Sequence, residues 1–90
     1  MNKSELIDAV ADAADIPRAV ATRAVEAVTD SITAALQRDD TVTLVGFGSF
    51  VVSKREARTG RNPKTGEAIE LKASRVPRFR PGKALKDALG

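Results

Sequence analysis

The chain has 90 residues, the length of one domain, and its 15 Lys and Arg against 12 Asp and Glu give a net charge of +3. It contains no cysteine and no histidine, which removes the common zinc ligand sets, a Cys nucleophile and the usual neutral-pH general base. No motif arranges the remaining Ser, Lys and carboxylates, so no catalytic residue, metal site, cofactor or small-molecule substrate is expected.

The total charge conceals an asymmetry. Residues 1–45 carry 4 basic and 8 acidic side chains, net −4, whereas residues 46–90 carry 11 and 4, net +7. A basic half against an acidic remainder is the footprint of a nucleic-acid partner, where an ordinary solvated surface mixes the signs. No segment approaches the roughly 20 apolar residues of a membrane span. Asp8, Asp12, Asp15 and Glu26 interrupt any stretch resembling a secretory signal, so a cytoplasmic protein without a membrane partner is expected.

In chain order, Asn2 and Glu5 have the spacing of a capping box and open a first helix. Leu6, Ile7, Val10, Ala11 and Ala14 form its apolar stripe, and Asp8, Asp12 and Asp15 its wet face, a row that reads as solvation rather than as a metal site. Pro17 breaks this helix and suits the first turn of the next, over about residues 17–37. From Ala19 to Leu36, 11 of 18 residues are Ala, Val, Ile or Leu. An apolar arc that wide exceeds what one supporting surface needs, and the remaining core is small, with only three aromatic residues, Phe47, Phe50 and Phe79. A two-fold dimer with one shared core is therefore expected, built from Val25, Val28, Ile32, Leu36, Leu44, Phe47, Phe50 and Phe79; the competing reading is a monomer with an alanine-rich helix. A helix-turn-helix reader is rejected because the helix pair lies in the acidic half.

Residues 38–40 turn into β structure, and 41–45 alternate with Val42 and Leu44 on one face. Gly46 and Gly48 flank Phe47, expected as a buried anchor, and the spacing of a phosphate-binding loop is absent. Beyond Ser49, Phe50, Val52 and Lys54 share one face while Val51, Ser53 and Arg55 share the other. After Val52 the apolar pattern fades into Arg55, Arg58 and Arg61. Residues 62–66, Asn-Pro-Lys-Thr-Gly, read as a turn, with Pro63 presetting the backbone and Gly66 tolerating a left-handed exit. The returning strand alternates Ile69 and Leu71 with Glu70 and Lys72, enough to pair but not to bury a long basic hairpin. Val76 and Phe79 are expected to re-enter the core, with Arg75, Arg78 and Arg80 continuing the basic surface and Pro77 suiting an edge. A short terminal helix docks Leu85 and Leu89 and turns Lys83 and Lys86 outward.

Taken together, Gly46-Phe47-Gly48-Ser49-Phe50, the run Arg58-Thr59-Gly60-Arg61-Asn62-Pro63-Lys64-Thr65-Gly66, Phe79, and Gly82-Lys83-Ala84-Leu85-Lys86 resemble the bacterial histone-like HU family, whose sister branch is integration host factor. The resemblance covers the whole chain. It implies an α+β fold: a single domain over 1–90 in which 1–40 is a helical dimerisation half. The remainder, 41–90, would hold a strand saddle, an arm at about 55–74 and a C-terminal helix. Intertwined subunits would form a homodimer or a heterodimer with a paralogous subunit. The arms would wrap the minor groove of double-stranded DNA, which binds without marked sequence preference and preferentially where bent or nicked. By the same resemblance Pro63 is the wedge between base pairs, Arg61 and Asn62 lie beside it in the minor groove, and Arg55 and Arg58 follow the groove; Lys64 is also expected to bind DNA. Lys3, Lys83 and Lys86 would hold flanking phosphates. The implied role is DNA bending and compaction in the bacterial nucleoid. Three departures stand out: Pro17 replaces a polar cap, Glu67 replaces a common lysine at the tip, and Arg80-Pro81 is similar to the integration host factor branch. The rival readings are a sequence-specific bender of that branch, an RNA-binding basic protein, which the absence of Tyr and Trp disfavours, and a structural dimer whose Pro63 is an ordinary turn residue. An arm without its own core is expected to be mobile until DNA is bound.

Overall fold

The computed structural model describes residues 1–90 as an α+β chain of three helices and five strands. Two compact units divide it, Met1–Ala34 and Ala35–Gly90, with the boundary inside the second helix.

In the first unit, α1 spans Lys3–Ala14. Its capping box forms: the Asn2 side chain accepts from the Glu5 amide at 2.9 Å, and the Asn2 amide donates to the Glu5 carboxylate at 3.3 Å. Asp15 ends the helix in the left-handed conformation. The second helix, α2, spans Arg18–Gln37. Pro17 stands one residue earlier than its predicted place in the first turn: its carbonyl accepts from the Val20 and Ala21 amides at 3.0 Å, so it caps the helix from outside. Only Ile7 and Ala21 are buried in this unit, while Leu6, Val20 and Val28 remain exposed, Val28 by 55%.

The second unit begins with the last turn of α2, which closes through a Schellman motif. The Asp40 amide donates to the Ala35 carbonyl at 2.9 Å and the Asp39 amide to the Leu36 carbonyl at 3.1 Å, with Asp39 at φ 60°. Strand β1 (Val42–Leu44) pairs antiparallel with β2 (Gly48–Arg55), and β2 with β5 (Ser74–Pro81), giving the order β1-β2-β5. A separate ribbon pairs β3 (Arg58–Arg61) with β4 (Ala68–Leu71). The hairpin is thus broken at its root. The last β2–β5 pair is Arg55↔Ser74, ribbon pairing resumes at Arg58↔Leu71, and two residues on each side lie unpaired between them. Helix α3 covers Lys83–Ala88.

The three aromatic rings form one cluster. Phe50 and Phe79 are cross-strand partners with centroids 4.9 Å apart, and Phe47 lies 5.6 Å from Phe79. Gly48 is required beneath them, because a Cβ there would meet the Phe79 ring at 2.5 Å. Gly82 is required where α3 begins: a Cβ would meet the Gly46 carbonyl at 2.8 Å, and its amide donates to the Phe47 carbonyl at 2.7 Å. Phe47 is nevertheless 48% exposed and Phe79 40%, so the anchor expected at Phe47 is not buried within the single chain. Leu44 is exposed as well, while Val25, Ile32, Leu36 and Phe50 are half-buried.

Candidate nucleic-acid interface

Strand register decides where each cation points, since directly paired residues share a face and neighbours alternate. On one face of the β1-β2-β5 sheet lie Val42, Leu44, Phe50, Val52 and Lys54 with Arg75, Pro77 and Phe79. On the other lie Thr43, Ser49, Val51, Ser53 and Arg55 with Val76, Arg78 and Arg80. Arg55, Arg78 and Arg80 therefore line one polar face that carries no carboxylate. Arg75 does not belong with them. Its Nη2 lies 2.7 Å from the Leu36 carbonyl, 3.0 Å from the Gln37 carbonyl and 2.7 Å from Asp39 Oδ1, so it caps the C-terminus of α2. Val76, expected in the core with Phe79, has the opposite parity and lies on the basic face.

The ribbon obeys the same rule. Arg58 and Gly60 share a face with Ile69 and Leu71, while Thr59 and Arg61 share the other with Ala68 and Glu70. Arg58 and Arg61 thus point to opposite sides of the arm instead of forming one row. At the tip the Asn62 amide donates to the Glu67 carbonyl at 2.9 Å and the Gly66 amide to the Asn62 carbonyl at 2.7 Å. Gly66 adopts φ 73°, the left-handed exit its position predicts. The Asn62 side-chain oxygen accepts from the Lys64 amide at 2.9 Å, so this residue shapes the turn and keeps its NH₂ free to offer a partner. Pro63 is exposed at the crest of the loop.

Ion pairing sorts the remaining cations. Lys3 is paired with Glu26 at 3.2 Å and Lys83 with Asp87, one helical turn away. Arg23, Arg55, Arg58, Arg61, Lys64, Lys72, Arg78, Arg80 and Lys86 take part in no salt bridge, and all but Arg23 lie in the basic half of the chain. A row of unpaired guanidinium groups raises the local potential and leaves planar donors free for phosphate. Two residues with a structural part had no individual signal in sequence, Asp39 and Lys54, joined at 3.3 Å. Hydrogen bonding from Lys54, with a further contribution from Arg75, holds the Asp39 carboxyl below its ordinary value of 3.8.

A family model described as "Bacterial DNA-binding protein" matches residues 1–90. The DNA-binding protein HU-beta of Pseudomonas aeruginosa is 62% identical over 89 residues, covering 99% of each chain. The DNA-binding protein HU of Geobacillus stearothermophilus is 60% identical over 89 residues, again 99% of each. Among solved structures, the Anabaena HU-DNA cocrystal structure matches with a TM-score of 0.88 at 47% identity, covering 100% of this chain and 98% of that one. HU from Thermotoga maritima matches with a TM-score of 0.73 at 34% identity, covering 100% of both chains.

Proposed function

The chain belongs to the bacterial DNA-binding protein family, and from that premise we propose that it works as a dimeric architectural protein that binds double-stranded DNA with little sequence preference, bends it, and helps compact the nucleoid in the cytoplasm. It acts by binding and not by catalysis. The observation that carries the reading is the set of eight cations in residues 46–90 without an intrachain ion pair, three of them on one face of the sheet, four on the arm and Lys86 on α3. Phosphate contacts of this kind give affinity and orientation but little sequence information.

Pro63 is the wedge in this reading. A rigid apolar ring at an exposed crest can prise open a base step at a cost of about a few kcal/mol, which wrapped phosphates return; HU and integration host factor are themselves standard examples of this behaviour. Sites where a kink is already cheap, such as nicked or gapped duplex, are then preferred. Arg61 and Lys64 flank the wedge, Arg55, Arg58, Arg78 and Arg80 follow the backbone, and Lys86 adds a contact from α3. Lys3 and Lys83 reach phosphate only by leaving Glu26 and Asp87. The dimer is supported by the apolar side chains that each unit leaves uncovered, Val28 in the first and Leu44, Phe47 and Phe79 in the second.

The test is a bending assay by energy transfer on end-labelled intact and nicked duplexes across a salt series, with Pro63→Ala alongside. With roughly 6 to 10 phosphate contacts per dimer, log K falls against log salt with a slope of about −5 to −9. Bending is lost in Pro63→Ala while the slope is kept. Affinity that ignores salt would overturn the mechanism, and bending that survives in Pro63→Ala would leave Pro63 as a turn residue.

A further inference from the structure

One cluster of charged groups is not used by the DNA-binding reading, and it sits where α2 ends and the β2–β5 ladder is about to stop. Asp39 occupies the left-handed position of the Schellman motif at φ 60°, a conformation that glycine adopts freely and that Asp and Asn tolerate better than other L residues. Its carboxylate lies 2.7 Å from Arg75 Nη2 through Oδ1 and 3.3 Å from Lys54 Nζ through Oδ2. Lys54 and Arg75 are direct cross-strand partners, so without Asp39 two like charges would face each other across the ladder. Arg75 also reaches the Leu36 and Gln37 carbonyls, which ties β5 to the end of the helix. One pair further on, at Arg55↔Ser74, the ladder ends, and the unpaired break before Arg58↔Leu71 begins. That break opens a shallow cleft of about 270 Å³ lined by Ala57, Arg58, Thr59, Glu70, Leu71 and Lys72.

We propose that Asp39 is a positioning residue for DNA bending: with Arg75 and Lys54 it clamps the body side of the arm's hinge, fixes the direction in which the arm departs, and so sets the angle to which bound duplex is bent. The inference rests on the bending function proposed above. A two-stranded ribbon follows the last pairs of the ladder that feeds it. Here those pairs hold two repelling cations, so the ribbon's direction depends on whatever neutralises them. Asp39 does this from the last turn of α2, which belongs to the same compact unit as the ladder and the arm. Glycine at this position would satisfy the Schellman turn but not the two cations. The same two cations hold the carboxyl below its ordinary value, so the clamp is charged throughout the neutral range.

The test is Asp39→Asn, which keeps a residue that tolerates the left-handed conformation and removes the charge. Bend is read as transfer efficiency on doubly end-labelled duplex at saturating protein, and affinity separately by titration. Removing an acid makes the protein more basic, so electrostatics alone predicts equal or tighter binding. The expected result is affinity equal to or above that of the unaltered protein together with a loss of transfer efficiency and a broader distribution of end-to-end distances. Asp40→Asn, the same charge change one residue along, keeps the full bend. Asp39→Gly, which suits the left-handed position and so protects folding, provides a second route should Asp39→Asn melt early, and it too broadens the distribution. Full bending in whichever of Asp39→Asn and Asp39→Gly remains folded overturns the clamp. Absence of bending in the unaltered protein would instead overturn the function on which it rests.

Discussion

Replacing Val28 by aspartate separates a chain that folds alone from one that shares its core. Val28 is 55% exposed in the single chain, and surface substitutions of that kind change stability by no more than about 0.5 kcal/mol. Val25, Val28, Ile32 and Leu36 follow one another at helical spacing, and in a two-fold dimer that stripe closes against its own copy. A carboxylate at position 28 then enters a desolvated seam without a partner, at about 3 to 5 kcal/mol per chain, twice by symmetry. A domain this size loses about 4 to 8 °C in Tm for each kcal/mol. The dimer therefore predicts a drop above about 12 °C, and a monomer one below about 4 °C. Thermal melts followed by circular dichroism at several protein concentrations measure this, with sedimentation equilibrium giving the mass. A dimer also melts at higher temperature as concentration rises. An unaltered Tm in Val28→Asp, together with a monomeric mass for the parent protein, would refute the shared core.

Three further outcomes are expected. Arg78→Ala makes the salt dependence of DNA binding shallower by about 1 to 2 in slope per dimer with little change in Tm, whereas Arg75→Ala leaves the slope alone and destabilises by about 1 kcal/mol, because it abandons two helix-end carbonyls and Asp39 in a half-exposed site; equal slope changes in the two variants would contradict the sorting by face. Because the folded-state pKa of Asp39 is depressed, its contribution is present above the unfolded value near 3.8 and is lost as pH falls below it. Acid melts below that pH should be steeper in the unaltered protein than in Asp39→Asn, and coincident curves would remove the effect. In the free protein, amides of residues 58–71 should show lower heteronuclear NOE values than those of β2 and β5 and rise when duplex is added; uniform values before DNA would mean that the arm is ordered unaided.

The parts legible in sequence are those set by local rules. The capping box at Asn2 and Glu5, the proline and glycine of the tip turn, and the alternation through Phe50, Val52 and Lys54 are each determined within a few residues, and each takes its expected form. What was missed depends on partners far along the chain. Arg75 groups with Arg78 and Arg80 by charge, but period-two alternation puts it with Phe79, and only the helix end 36 to 39 residues away in sequence shows what its guanidinium does. The same parity separates Val76 from Phe79 and Arg58 from Arg61. Asp39 carried no signal beyond an expected turn, because its role requires the Lys54↔Arg75 pairing to exist first. The break at the arm's root was equally hidden, since Glu56, Ala57, Lys72 and Ala73 contain no glycine or proline to mark it.

The charge on the arm then takes on a particular meaning. Residues 56–73 carry Arg58, Arg61, Lys64 and Lys72 against Glu56, Glu67 and Glu70, a net charge of only +1. The sheet face with Arg55, Arg78 and Arg80 carries no acid at all. Counterion release scales with the phosphates neutralised, so in the proposed mechanism the body and the arm both supply salt-dependent affinity, and the arm acts in addition through its shape, its direction and the proline at its tip. Glu67 at the tip is then no defect. In the proposed mechanism a strongly cationic ribbon would gain nearly as much on straight duplex as on bent DNA, so an acid at the tip would leave discrimination to the energy of the kink. Affinity and bending are thereby assigned to different residues, which is why a charge-neutralising change at Asp39 can raise one while lowering the other.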